Sequence, residues 1–296
     1  MRWKTRVVIM CVLLGLPACA HVDEKGLEAV ATPMKIVVGP VALDAAITKS
    51  IQIHSFDESP PAEMEATTLA TLLDETQTHA QQVITEQFAQ QPRFAVVPFQ
   101  ETRRAQSDIA PLTPAWTHEH LLALGRSTNA EFVMDAHILD YGVVRWQYWV
   151  SGWLVHAGIA TAIVGLASGW NPAAIGAYLA VDATTDFPLW WGGAQVFGWA
   201  FRPVRIQLDI LQLAQCEGLV WSQQELIVKV PGKALSGYTS DEQRKREIQL
   251  DVNLHKAIDI LAENSAETLV QQPCNERGEP QKVGGFSFWS WLDFLY

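Results

Sequence analysis

Three stretches carry residue types that could do chemistry. His118-Glu119-His120 offers two imidazoles, the side chain most often found on zinc. On a helix, residues two apart point about 200° apart, so this pair cannot converge on one ion and reads as exposed helix surface. Asp135 and His137 are two apart in a segment of strand pattern and therefore share a face. Without a third ligand close by in sequence, they read as a satisfied, half-buried pair. The glycines of LWWGGAQVFG (189–198) lack the strand–GxGxxG–helix setting of a dinucleotide site, and no GxxxxGK[ST] loop accompanies them. No Gly-x-Ser-x-Gly elbow occurs either. The expectation is a protein that is not an enzyme, with no catalytic residue, no metal ligand and no cofactor.

Cysteine chemistry is more informative. The N-terminus MRWKTRVVIMCVLLGLPACA has a basic start (Arg2, Lys4, Arg6), an apolar stretch from Val7 to Leu16, and then Leu16-Pro17-Ala18-Cys19. The apolar stretch is too short for a stable membrane span, so it reads as an export signal. Leu-Pro-Ala-Cys resembles a bacterial lipobox, in which cleavage before the cysteine is followed by acylation of its thiol. By the same resemblance, Ala20 in place of Asp directs the lipoprotein to the outer membrane. Acyl chains contribute about 0.8 kcal/mol per buried CH₂, and several together make anchoring permanent. Of the 4 cysteines, Cys11 leaves with the signal and Cys19 takes the lipid. Cys216 and Cys274 remain in a compartment that permits disulfides; their pairing, open from the sequence, would close a loop of about 60 residues.

Composition bounds the partners. The 296 residues are 49% hydrophobic and 18% charged with a net charge of −11, which describes a globular acidic protein. Nucleic acid is excluded as a partner because phosphate binding needs a basic face, and the only basic cluster, RKRE at 244–247, reads as solvated helix surface.

The elements follow from periodicity. MKIVVGPVALD is a continuous apolar run ending in Gly39-Pro40 and beyond, the pattern of a buried strand. SIQIHSF (50–56) alternates as a second strand would. From Pro60-Pro61 the spacing becomes helical, with Leu69, Leu73, Ala80, Ile84 and Phe88 on one face. RFAVVPF (93–99) is strand-like, and TPAWTHEHLLALGRSTNA is a short helix ending near Gly125. EFVMDAHILDYG places Phe132, Met134, Ala136 and Ile138 on one side. RPVRIQLDIL alternates Val204, Ile206, Leu208 and Ile210 inward, QCEG turns, and LVWSQQELIVKV returns. A last helix, opened by Ser240, buries Leu250, Leu254, Ala257 or Ile258, and Leu261. This predicts an α/β chain of α+β two-layer type: a mixed sheet with helices on one face, interrupted by an apolar helical-hairpin insert.

The strand with VVGP, the long helix leading to RFAVVPFQETRRA, the STNAEFVMDAHILDYG strand, the IQLDILQLAQCEGLVWSQQ hairpin and the closing LHKAIDILAENSAETL helix resemble the small domain shared by the CsgG family and the TolB N-terminal domain. The resemblance implies scaffolding in the bacterial envelope, either assembly partners or subunits of an export channel. The chain then divides into a signal peptide (1–18), a tether (19–33), the CsgG/TolB-N-like domain (34–145 and 202–272), an insert (146–201) and an aromatic tail (273–296).

The insert departs from that family. It has no Lys or Arg, only Asp182 and Asp186 as acids, and Trp146, Trp149, Trp153, Trp170, Trp190, Trp191 and Trp199. Indole rings favour membrane interfaces. Residues 149–167 would reach about 28 Å as a helix, and Gly158, Ala162, Gly165 and Gly169 supply small residues at helical spacing. The flanking strands belong to one sheet, so the chain must come back. Its return is broken by Asp182, Asp186, Pro188 and a glycine pair, so a second clean membrane span is not expected. The hairpin either dips into one leaflet, packs on copies of itself, or forms a covered apolar subdomain. Trp289 and Trp291 in the tail GGFSFWSWLDFLY add a second apolar contact of the same kind.

The expected function is therefore that of a non-enzymatic outer-membrane lipoprotein, lipid-anchored on the periplasmic face. It would be a structural or assembly part of a secretion or export apparatus, with membrane lipid and a homo-oligomer or other envelope proteins as partners. The alternative is a monomeric periplasmic lipoprotein that binds lipid or another apolar ligand through the Trp-rich insert.

Overall fold

Five strands, β1 (Met34–Leu43), β2 (Phe94–Val96), β3 (Phe132–Tyr141), β4 (Phe201–Gln212) and β5 (Gly218–Lys229), form one sheet in the order β2-β1-β3-β4-β5. The computed structural model describes residues 32–110, 116–143, 146–196, 201–213 and 217–269, with the side chains at 146–153, 155, 185–196, 201 and 229 excepted. Contacts divide the chain into Met1–Thr32 and Pro33–Tyr296, and every described helix and strand lies in the second unit. The signal peptide, Cys19, Cys216, Cys274, Trp289 and Trp291 lie outside the described residues.

Strand β1 pairs in parallel with β2 and β3, and β3, β4 and β5 run antiparallel to one another. The helices are α1 (Ala62–Ala89), α2 (Phe99–Ile109), α3 (His118–Ser127), α4 (Trp146–Ala167), α5 (Pro172–Val196) and α6 (Arg246–Thr268). This is the mixed α+β sheet that the sequence pattern predicts. The main core lies between one sheet face and helices α1 and α6. Ile36, Val38, Phe132, Met134, Ala136, Ile138, Val204, Ile206, Leu208 and Ile210 meet Ala80, Ile84 and Phe88 from α1 and Leu250, Leu254, Ala257, Ile258 and Leu261 from α6. Each large apolar side chain sealed in this way contributes about 1.5–3 kcal/mol. Trp221, also sealed in this core, donates its indole N–H to Thr268 Oγ1 at 2.9 Å.

Helices cover the second face as well, which corrects the one-sided arrangement expected. Val37, Val133 and Leu211, pointing away from the main core, are buried with Val97, Leu121 and Leu124 beneath α2 and α3. This explains why β1 reads as an unbroken apolar run: it is buried on both faces. Helix α2 itself was not anticipated. The strand expected over 93–99 stops at Val96, and Pro98 immediately precedes the first residue of α2.

Two further expectations are corrected by side-chain hydrogen bonds. Residues 50–56 form no strand; Ser50–Gln52 is a single 3-10 turn. Ser50 donates its backbone N–H and its hydroxyl to the two carboxylate oxygens of Glu65, at 2.5 and 2.9 Å. Ser55 is tied to α6: its N–H reaches Glu247 Oε2 at 2.9 Å and its hydroxyl accepts Arg246 N–H at 2.8 Å. Helix α6 starts at Arg246 rather than next to Ser240. Thr239, not Ser240, pairs reciprocally with Glu242, and the pair caps only the short turn Glu242–Arg244 before Lys245 turns extended.

Gly39-Pro40 sits where β1 gains one residue over β3, between the pairs Val38↔Met134 and Val41↔Ala136. Proline has no N–H to give to the ladder, so the irregularity is where it fits. A Cβ on Gly39 would lie 2.9 Å from the Met134 carbonyl oxygen and 2.7 Å from Leu121 Cδ2. Gly39→Ala is therefore expected to destabilise the protein by about 1–3 kcal/mol, seen as a lower denaturation midpoint in urea with an unchanged slope.

Candidate functional site

Between β3 and β4 the chain forms an α4–α5 hairpin whose two helices pack on each other and, among the described residues, make no comparable contact with another helix or strand. The turn is built locally. Gly169 and Trp170 take positive φ values of 63° and 61°, and Trp170 N–H closes on Gly165 O at 2.7 Å. Asn171 Oδ1 then accepts the Ala173 N–H at 2.9 Å, capping α5, with Pro172 in the first helical position. Helix α5 runs to Val196 as one helix through Asp182, Asp186 and Pro188, which interrupt its apolar run and not its backbone. Among the described residues no helix is long and apolar enough to cross a membrane.

The distribution of side chains on the hairpin is inverted relative to the core. Among its described side chains, Ala157, Gly165 and Asp182 are buried, and Thr161, Val164, Ile175 and Tyr178 are among the half-buried ones. Leu154, Ile159, Ile163, Leu166, Trp170 and Val181 are all more than half exposed. At the seam, Tyr178 donates its hydroxyl to Asp182 Oδ1 at 3.1 Å, and His156 Nε2 lies 3.7 Å from the same oxygen. Among the described side chains, Asp182 and Tyr178 thus turn to the seam while several large apolar groups face outward.

Three of the residues singled out on the insert are resolved in detail. Gly165 lies beneath the indole of Trp170, where a Cβ would meet Cε3 and Cζ3 at 2.8 Å. Gly158 is exposed and a Cβ there would meet nothing within 4 Å, so it is not where α4 approaches α5. Trp149 and Trp153 fall on α4, and Trp190 and Trp191 on α5, with side chains outside those described.

The histidines divide by partner. His118 and His120 lie in the first turn of α3, where the His120 ring accepts the Thr117 N–H at 3.3 Å. His137 sits between two carboxylates, with Nδ1 at 2.8 Å from Asp44 and Nε2 at 3.3 Å from Asp135. Nearby on the same sheet face Gln224 donates to Gln207, which donates to Asp209, which also accepts from Ser222. A third cluster was not anticipated. His79 on α1 and Asp251 and His255 on α6 each offer one donor atom within 4.8 Å of the others. Only the Asp-x-x-x-His spacing of 251 and 255 was visible in the sequence, since His79 lies far away along the chain. Burial alone would raise the Asp251 carboxyl, but hydrogen bonds with His255 and His79 outweigh it and hold the group well below its ordinary range.

His137 carries a definite pH dependence. Hydrogen bonding to Asp135 leads, opposed by burial and reinforced by Asp44, and lifts the imidazole from 6.5 to about 9. A raised folded-state value means stability that is complete below about pH 6.5 and lost as pH rises through about 9. His137→Gln should therefore flatten this part of the thermal-stability profile between pH 6 and 9.5. Parallel profiles for the two proteins would show that the ion pairs contribute nothing.

No family model matches the chain, and no curated protein sequence does. Among solved structures it is similar to the LpoB C-terminal domain from Salmonella enterica, with a TM-score of 0.29 and 11% identity over 68% of this chain and 86% of that one. It is also similar to the hypothetical protein CT253 from Chlamydia trachomatis, with a TM-score of 0.37 and 7% identity over 79% of this chain and 98% of that one. Likenesses this distant carry no inference about activity, and the resemblance to CsgG and TolB rests on the residues quoted for it.

Proposed function

We propose that this protein is a non-enzymatic lipoprotein of the bacterial outer membrane that inserts its α4–α5 hairpin into the periplasmic leaflet and serves as an assembly component of a secretion or export apparatus. The observation that carries this reading is the inverted polarity of the hairpin. In water, Leu154, Ile159, Ile163 and Leu166 would be expected to occupy the seam between the helices, with Asp182 and His156 outside. The reverse order suits a hydrocarbon surrounding, where outward apolar side chains lose nothing and polar groups must find partners inside. An exposed apolar surface of this extent also calls for an occupant.

The Leu16–Cys19 lipobox-like sequence and Ala20 support the location, since an acyl anchor holds the chain at the surface that the hairpin enters. The absence of Lys and Arg from 146–201 supports entry, because neither side chain has to be desolvated. Homo-oligomerisation is the second part of the reading. Gly158 and Ala162, four apart and exposed on α4, leave a smooth strip on which a helix from another copy can lie closely.

Anchor and hairpin are separable by experiment. Palmitate labelling should be lost in Cys19→Ala. The same variant, purified, should still float with phospholipid vesicles through the hairpin. Adding Ile159→Asp, Ile163→Asp and Leu166→Asp should leave the fold intact and reduce vesicle binding at least tenfold. A Cys19→Ala protein that stays in the aqueous fraction while forming a discrete oligomer would replace lipid by a second copy as the hairpin's partner.

A further inference from the structure

We propose that His79, Asp251 and His255 form a binding site for one zinc-class divalent cation, which clips α1 to α6 over the main core. His79 Nε2 lies 2.6 Å from Asp251 Oδ1, and His255 Nδ1 lies 3.2 Å from the same oxygen. The two imidazole rings are 5.9 Å apart between centroids. Asp251 and His255, four apart on α6, project from one side of that helix, and α1 supplies the third group from the facing side. Donors around a tetrahedral zinc stand about 3.4 Å apart, given metal–ligand distances near 2.1 Å. The donor atoms lie within 4.8 Å of one another, close to that spacing.

The donor set selects the ion. Two neutral imidazoles and one carboxylate suit zinc and the later first-row ions, whereas magnesium and calcium require a shell of oxygens. Glu86 on α1 places a further negative charge close to His255, which favours a cation there. The three side chains are 48%, 28% and 39% exposed, so solvent reaches the site and water can complete the coordination. The same exposure means the ligands can be removed without opening the core. In the ion-free protein Asp251 Oδ1 lies between the two histidines, and His255 Nδ1 is also 2.9 Å from the Asp251 backbone oxygen, which leaves its Nε2 free to turn to a cation.

The test uses the full chain in detergent, stripped with a chelator and titrated with zinc chloride by calorimetry and thermal melting. One ion per chain is expected, with the melting temperature rising by about 5 °C at a hundredfold excess over the dissociation constant. His79→Ala and His255→Ala should each weaken binding at least tenfold, and His79→Gln should do the same with less disturbance of packing. His118→Ala/His120→Ala should leave binding unchanged, and magnesium chloride should leave the melting temperature unmoved. Cobalt bound at this site should show the visible absorption of a tetrahedral centre, lost in His255→Ala. No stoichiometric zinc heat, or equal heat in the His79→Ala/His255→Ala double variant, would overturn the proposal. Neither result bears on the hairpin, whose vesicle binding is measured without metal.

Discussion

The antiparallel pairing of β3 with β4 is the constraint on which the rest of the structure depends. From Phe132↔Gln212 to Tyr141↔Val204 the two strands stay in register, with one irregularity between Ile138 and Asp140. Register of this kind is strongly specified because Phe132, Met134, Ala136 and Ile138 on one strand, and Val204, Ile206, Leu208 and Ile210 on the other, bury the same face. A slip of one residue would turn both sets to the wrong side. Since Tyr141 and Val204 are partners, the chain between them must leave the sheet and come back to the place it left. Two antiparallel helices with a tight turn satisfy that requirement, and a single membrane crossing does not.

The protein therefore joins two patterns of burial. In the sheet domain, large apolar residues are sealed between β-strands and the helices α1 and α6, with a smaller core under α2 and α3. In the hairpin, small and polar residues form the seam and the large apolar ones point away. Among the described residues of the hairpin, the Tyr178–Asp182–His156 contacts lie at the seam between the two helices. The sheet domain follows the order expected in water, and the exposed apolar residues of the hairpin do not.

Several basic side chains are matched to acids across long distances in the chain. His137 meets Asp44, His79 meets Asp251, and Arg126 meets Glu217. Where both partners lie on one element the sequence already tells that they meet, as with Asp135 and His137 on β3 or Asp251 and His255 on α6. Where they lie on different elements, the contact waits for the helices and strands to dock. The three-residue cluster on α1 and α6 is largely of this second kind, and the surroundings of His137 combine both.

Periodicity alone determined the strands β1, β3, β4 and β5, the inward faces of α1 and α6, and the apolar, uncharged character of the insert, because alternation and helical spacing are local records of burial. The turn at 50–52, the late start of α6 and the short helix α2 were decided by tertiary contacts: Glu65 on Ser50, Glu247 and Arg246 on Ser55, and the packing of α2 and α3 over Val37 and Val133. The sequence likewise determined that 146–201 is apolar but not which of its side chains face outward. Two uniformly apolar helices carry almost no directional pattern, so only their docking against each other, with Asp182 turned inward, decided which surface is offered to the outside.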